Sequence, residues 1–151
     1  MPERAVGSAS GTVLAFDFGL QRIGVAVGEP ELGTAHPLPA VAAQSSPGRL
    51  TAIGRLVKQW NPSQFVVGRP LGEDGAPHEM TRRAERFARQ LHGRFRLPVA
   101  LVDERYSSAE VESRMRAAYG SRKAATLSRG KALDSHAAQL VLEQYFNERT
   151  A

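Results

Sequence analysis

Hydrophobic and polar residues in the first third of the chain follow the short runs that are typical of strands. Residues 12–16 (TVLAF) and 23–27 (IGVAV) are two such runs, and the five residues between them (FGLQR) are a hairpin-length connection, which predicts an antiparallel pair. A third strand is predicted over 36–43 (HPLPAVAA). Because its two prolines have no N–H to donate, we expect it at an edge of the sheet.

Later in the chain, covered strands alternate with segments of helical periodicity. Strands are predicted over 64–68 (QFVVG) and 97–104 (LPVALVDE), and helices over residues 49–60, 78–92, 107–119 and 131–147. Hairpin-joined strands followed by helix-separated strands predict an α/β fold with a mixed sheet and helices on both faces. We expect residues 11–148 to form a single domain, preceded by ten disordered residues.

Composition narrows the class of protein. The chain has 151 residues, of which 42% are hydrophobic and 23% charged, as in ordinary soluble globular domains. It has no cysteine, so disulfides, thiolate metal sites and a cysteine nucleophile are excluded. No segment has the apolar length of a signal peptide core or a membrane span, and we expect a cytoplasmic protein.

Positive charge is concentrated in one part of the sequence. Residues 82–131 contain 13 Lys or Arg against 5 Asp or Glu, a net charge of +8, whereas the whole chain has +5. A basic segment of this kind can attract a polyanion such as nucleic acid. It can equally form solvated helix faces, and charge alone does not decide between the two.

Three acidic residues stand at the ends of predicted elements. Asp17 closes the first strand, Glu104 closes the fifth, and Asp134 lies in the first turn of the last helix. If the first strand is central, parallel strands end at one edge and the carboxylates converge there. Three converging carboxylates need a cation, and oxygen ligands favour Mg²⁺ or Mn²⁺. Two such ions can activate water and stabilise the leaving oxygen of a phosphodiester.

Each acidic residue also has a local explanation. Asp17 with Gly19 could shape the hairpin turn, and Glu104 could pair with Arg105 at the surface. Asp134 could be favoured by the amino end of its helix. Spacing alone leaves these alternatives open.

Four separated blocks give the chain a family resemblance. It resembles the YqgF family, bacterial proteins with the ribonuclease H-like fold that are described as Holliday-junction-resolvase-like and as pre-16S rRNA nucleases. The matching blocks are FDFGLQRIGVAVGE (16–29), VVGRPLGEDG (66–75), LVDERYSSAE (101–110) and GKALDSHAAQLVLEQY (130–145). The fold implied is a five-stranded mixed sheet, its first three strands antiparallel and its last two parallel. One departure is Arg69, where an apolar residue is more usual.

The resemblance implies a metal-dependent hydrolase that cuts phosphodiester bonds. Asp17, Glu104 and Asp134 would be its catalytic and metal-binding residues, holding two Mg²⁺ or Mn²⁺ ions, with no organic cofactor. The substrate implied is structured RNA, in 5′-end maturation of pre-16S rRNA, or branched DNA. The basic residues that we expect to contact nucleic acid are Arg22, Arg69, Arg105, Arg122, Lys123, Arg129 and Lys131.

Rival functions differ in testable ways. A module could use this fold to bind nucleic acid without cutting it, although carboxylates that repel phosphate would then serve no purpose. The DFGLQRIGVA segment is also similar to the first phosphate-binding hairpin of sugar kinases and actin-type ATPases, which need two such domains. Junction resolution requires two opposed sites and hence a dimer, whereas rRNA trimming does not. We expect a monomer or a weak homodimer.

Overall fold

Five strands and three helices make up the described part of the chain. The computed structural model describes residues 11–43, 45–72, 74–104, 113, 116, 117, 120 and 131–150, and only the backbone at 131–134 and 150. In chain order the elements are β1 (Val13–Asp17), β2 (Arg22–Glu29), β3 (Thr34–Ala42), α1 (Ser46–Trp60), β4 (Gln64–Arg69), α2 (Glu79–Phe95), β5 (Val99–Asp103) and α3 (Lys131–Thr150).

The strands form one mixed sheet in the order β3-β2-β1-β4-β5. Pairing is antiparallel between β1 and β2 and between β2 and β3, and parallel between β1 and β4 and between β4 and β5. The predicted sheet is therefore confirmed, with β1 at its centre and the proline-containing β3 at its edge. Because β1, β4 and β5 run parallel, their carboxyl ends lie at one edge of the sheet, which we call the carboxyl edge.

Each face of the sheet is covered by helices. Leu14 and Phe16 pack in one core cluster with residues of α1 and α2, whereas Val13 and Ala15 pack in a second cluster with residues of α3. This alternation along β1 is the two-residue period of a strand buried on both sides. The helices predicted on both faces are thus confirmed.

Three helices extend beyond their predicted bounds, and for α3 the difference is the three residues from 148 to Thr150. α1 begins at Ser46 because the side chain of Ser45 accepts a hydrogen bond from the backbone N–H of Gly48. α2 continues to Phe95 and ends where Arg96 adopts a left-handed conformation (φ 59°) and donates its N–H to the carbonyl of His92.

Two predictions lie outside the described residues, namely the disordered N-terminus at residues 1–10 and most of the helix at 107–119. Among the helices in the described ranges, none combines the length and apolar character that crossing a membrane requires.

Candidate active site

Asp17 and Glu104 meet at the carboxyl edge. Asp17 is the last residue of β1, and Glu104 directly follows β5, where its backbone N–H donates to the carbonyl of Arg69 over 3.0 Å. The side chains of Asp17 and Glu104 are hydrogen-bonded to each other. Two residues separated by 86 others in sequence therefore come together because parallel strands end at the same edge.

A glycine makes room for the Glu104 carboxylate. A Cβ atom at Gly68 in β4 would lie 2.6 Å from Oε2 of Glu104 and 3.1 Å from Cγ2 of Val141 in α3. The carboxylate is thus held on the α3 face of the sheet, over a strand position that has no side chain. Asp17 belongs to the same face, since it follows the alternation of Val13 and Ala15.

Burial leaves the Glu104 carboxylate short of partners. Burial raises the pKa of Glu104 above its ordinary value, and the hydrogen bond with Asp17 acts in the opposite direction. Its Oε2 atom is buried and has no hydrogen-bond partner among the described residues. Two adjacent carboxyl groups with a buried oxygen left over need either a shared proton or a cation between them. The residues present therefore fit a hard divalent cation, which prefers carboxylate oxygens.

The backbone of α3 starts close to this pair. Ser135 Oγ accepts from the N–H of Val25 (3.4 Å) and donates to the carbonyl of Leu38, so the first turn of α3 is tied to β2 and β3. The neighbour of Val25, Gly24, pairs with Asp17 in the sheet. Asp134 precedes Ser135, so its backbone is anchored near the end of β1.

The third predicted ligand stays a prediction. The side chain of Asp134 lies outside what the structure describes. Among the described side chains, no group of three potential ligands that could hold a metal ion is found.

Two side chains fix the backbone that carries Glu104. Gln144 of α3 donates from Nε2 to the carbonyl of Asp103 over 2.8 Å. Arg69 donates from Nε to Asp103 Oδ1 (2.7 Å) and from a terminal nitrogen to Glu85 Oε2 (2.6 Å). These hydrogen bonds, first that to Asp103, raise the pKa of Arg69. The predicted role of Arg69 as a phosphate contact stays a prediction, and the structure adds that its guanidinium is shared by two carboxylates.

The other predicted nucleic-acid contacts are less fully described. Arg22 is the first residue of β2 and is partly buried, and Lys131 is the first residue of α3, described by its backbone alone. Four more lie outside the described residues: Arg105, Arg122, Lys123 and Arg129.

Two glycines have steric roles, and the sequence offered only that of Gly19, as one alternative for the hairpin turn. A Cβ at Gly19 would lie 2.6 Å from the carbonyl oxygen of Arg22, so Gly19 is required by the tight hairpin itself. The role of Gly68 beneath Glu104 was not predicted. A glycine at the end of an apolar strand signals that something approaches the backbone closely, although the sequence does not say what.

Known proteins resemble the chain in sequence and fold. The model of a family described as "RuvX: Holliday junction resolvase" matches residues 11–148. A "Putative pre-16S rRNA nuclease" of Dechloromonas aromatica is 51% identical over 136 residues, covering 90% of each chain. A protein of the same name from Salmonella arizonae is 47% identical over 139 residues, covering 92% of this chain and 98% of its own.

Solved resolvases share the fold at low sequence identity. RuvC of Thermus thermophilus, in complex with a Holliday junction substrate, aligns over 93% of this chain and 96% of its own with a TM-score of 0.56 and 18% identity. The fowlpox virus resolvase aligns over 93% of this chain and 99% of its own, with a TM-score of 0.57 and 12% identity. The fold is accordingly ribonuclease H-like, as the resemblance implies. With its sheet order, its paired strand-end carboxyls and a family match along nearly its whole length, the chain belongs to the RuvX (YqgF) family.

Proposed function

We propose that this protein is a divalent-metal-dependent nuclease that hydrolyses phosphodiester bonds. The observation that carries the proposal is the hydrogen-bonded pair of Asp17 and Glu104 side chains at the carboxyl edge, with the buried Glu104 Oε2 lacking a partner among the described residues. Membership of a family described as a resolvase, and relatives named as nucleases, support it.

Three residues would hold Mg²⁺ or Mn²⁺, with two ions as the full complement. They are Asp17, Glu104 and Asp134. When bound, the ions supply Lewis acidity that polarises the phosphoryl oxygens and lowers the pKa of water. Glu104 must be ionised to bind a cation. Because burial raises its pKa, cation binding is coupled to release of a proton. Gly68, Gln144 and Arg69 keep Glu104 in place through the contacts described above.

We infer pre-16S rRNA as the substrate, cut during maturation of its 5′ end in the cytoplasm. The support is that relatives 47–51% identical along nearly the whole chain bear that name. Resolution of a four-way DNA junction is the second candidate, because the family model is described by that activity. The two candidates differ in assembly, since resolution requires two opposed sites and therefore a dimer.

A cleavage assay with matched variants tests the proposal. Purified protein with Mg²⁺ or Mn²⁺ is incubated with a precursor 16S fragment that carries its 5′ leader, and separately with a four-way DNA junction. We expect Glu104→Gln to lower kcat about 10³-fold, as for the loss of several kcal/mol of transition-state stabilisation. Glu31→Gln is the control, because it removes an acidic side chain exposed in the β2–β3 turn, at the opposite end of the sheet.

Each outcome selects one function. Cleavage of the RNA alone supports rRNA maturation, whereas cleavage of the junction by a dimer supports resolution. If the wild-type protein binds both substrates, cuts neither, and shows no heat of Mn²⁺ binding in calorimetry, the nuclease proposal is wrong and the chain is a binding module.

A further inference from the structure

A small pocket lies at the carboxyl edge on the face of the sheet opposite to the carboxylates. It has a volume of about 140 Å³ and is lined by Phe18, Leu20, Ala43, Arg49, Arg83 and Arg86. We call it the arginine pocket, because half of its lining residues are arginines, contributed by two helices. None of these arginines is among the basic residues predicted above to contact nucleic acid.

The arginine pocket and the carboxylates lie on opposite faces of the sheet at the end of β1. Phe18 packs with Leu14 and Phe16 on the α1 and α2 face, whereas Asp17 belongs to the α3 face. Consecutive Cα atoms are about 3.8 Å apart. Any chain molecule that crosses this edge over Asp17 can therefore contact both the carboxylates and the pocket.

Arg49 has no carboxylate partner in the described part of the chain. Its terminal nitrogens donate to neutral acceptors, the carbonyl of Ala43 at 2.9 Å and Oε1 of Gln90 at 3.2 Å, and the guanidinium lies 5.4 Å from the ring centroid of Phe18. Its Nε is buried and has no hydrogen-bond partner among the described residues. Burial lowers the pKa of Arg49, which agrees with a cation that no carboxylate balances.

The two arginines of α2 differ in how far they are neutralised. Arg83 pairs with Glu79 over 2.8 Å. Arg86 is exposed, and within the described ranges it has no carboxylate at ion-pair distance. Among the described residues, the pocket thus presents two positive charges that no carboxylate pairs with. Arg49 also stands in the first turn of α1, where the helix dipole favours an anion.

The volume and lining of the arginine pocket favour a phosphate group over a nucleobase as its ligand. Pockets for larger ligands enclose roughly 300–1,000 Å³, and this one is about half the lower bound or less. Phe18 is the aromatic residue of the lining, and its ring already contacts Phe87, with centroids 5.1 Å apart, as well as Arg49. Arginine forks match the oxygens of a phosphate, which they can bind in a bidentate manner.

We propose that the arginine pocket binds a backbone phosphate of the nucleic-acid strand, adjacent to the phosphate that lies at the carboxylates. The pocket would bind the nucleic-acid strand where it leaves the carboxylates and crosses the end of β1. This contact would fix the position of the scissile bond relative to the carboxylates. The identity of the ligand as a nucleic acid rests on the proposed function, whereas the anion site itself rests on the pocket.

Binding of a mixed-sequence single-stranded RNA, measured without divalent metal over about 50–200 mM salt, tests this proposal. Arg86→Gln removes an exposed arginine that forms no ion pair with the described residues. We expect it to reduce the slope of log affinity against log salt by about 0.7, and affinity at 0.1 M salt by about fivefold. Arg55→Gln, at an exposed position of α1 outside the pocket, is the control and should leave both unchanged.

A second variant addresses the partly buried arginine. Arg49→Lys keeps the positive charge but loses the planar guanidinium that can bind phosphate in a bidentate manner. We therefore expect weaker RNA binding with the same salt slope. If Arg86→Gln binds RNA with wild-type affinity and slope, the proposal is wrong even where the wild-type protein cleaves. If Arg86→Gln lowers the salt slope but the wild-type protein cleaves neither substrate, the nuclease proposal is wrong and the phosphate-binding pocket is supported. Stabilisation of the wild type, but not Arg86→Gln, by inorganic phosphate with an unchanged RNA slope would identify a free-anion site and overturn the nucleic-acid assignment.

Discussion

Replacing Gly68 with alanine tests whether the glycine beneath Glu104 sets the position of the carboxylate. The new Cβ would lie 2.6 Å from Glu104 Oε2, and ordinary van der Waals contact begins at 3.4 Å. The carboxylate therefore has to move by about 0.8 Å, because Gly68 is a strand residue that cannot retreat without disturbing its pairing with Val102. The side chain of Val141 lies 3.1 Å from the same Cβ, so the Cβ cannot shift towards α3 to relieve the contact.

We expect Gly68→Ala to lower the cleavage rate more than the stability of the fold. A misplacement of about 1 Å at a reacting centre can lower the rate about 10²-fold. Overpacking of a filled site costs about 1–3 kcal/mol, which for a domain of this size corresponds to a decrease of about 2–4 °C in Tm per kcal/mol. We therefore expect Gly68→Ala to remain folded at 25 °C and to cleave about 10²-fold more slowly.

Gly93 supplies the matched control. It lies in α2, and an added Cβ there meets nothing within 4 Å, so Gly93→Ala should keep full activity and gain about 0.5–1 kcal/mol from helix propensity. The assay is single-turnover cleavage with Mn²⁺, together with calorimetric Mn²⁺ affinity. A folded Gly68→Ala protein that cleaves within threefold of wild type would refute the steric argument.

Three further predictions concern charge and anchoring. Because the folded pKa of Glu104 is raised above the ordinary 4.5, its contribution to stability is present below that pH and is lost as pH rises through the folded pKa. The Tm of the metal-free wild type should therefore fall relative to Glu104→Gln as pH increases from about 4.5, and Mn²⁺ should reverse the difference; a pH-independent difference would contradict this. Ser135→Ala leaves the N–H of Val25 and the carbonyl of Leu38 without their partner, so we expect a loss of about 1–3 kcal/mol in urea unfolding, and an unchanged midpoint would show that the bonds are dispensable. Arg69→Gln should leave the salt slope of RNA binding unchanged, because two carboxylates already neutralise that guanidinium, and a decrease of about 0.7 would instead support the predicted phosphate contact.

Sequence patterns predicted the sheet well because strand order follows from local signals. The hairpin-length FGLQR segment, the two prolines of β3 and the apolar strands on either side of α2 each restrict the topology on their own. Once β1 is central, the meeting of Asp17 with Glu104 follows from the parallel register alone. These are consequences of periodicity and connection length, which a single sequence displays.

Contacts between remote side chains could not be predicted in the same way. Whether a basic residue faces phosphate or a carboxylate depends on partners such as Glu85, which lies 16 residues from Arg69 in sequence. The arginine pocket combines two residues of the β1–β2 connection with residues of α1 and α2, and no spacing in the sequence indicates that these approach. Gly68 is similar, because its role depends on a carboxylate 36 residues later.

The last helix determines when the site can exist during synthesis. The α3 face of the sheet is covered by Ala138, Val141, Leu142, Tyr145 and Phe146, all of which leave the ribosome after every strand. Until they emerge, the central strands have one unprotected apolar face. A nascent chain that ends before α3 therefore has Asp17 and Glu104 but lacks both the cover of the α3 face and Asp134, which we propose as the third metal ligand.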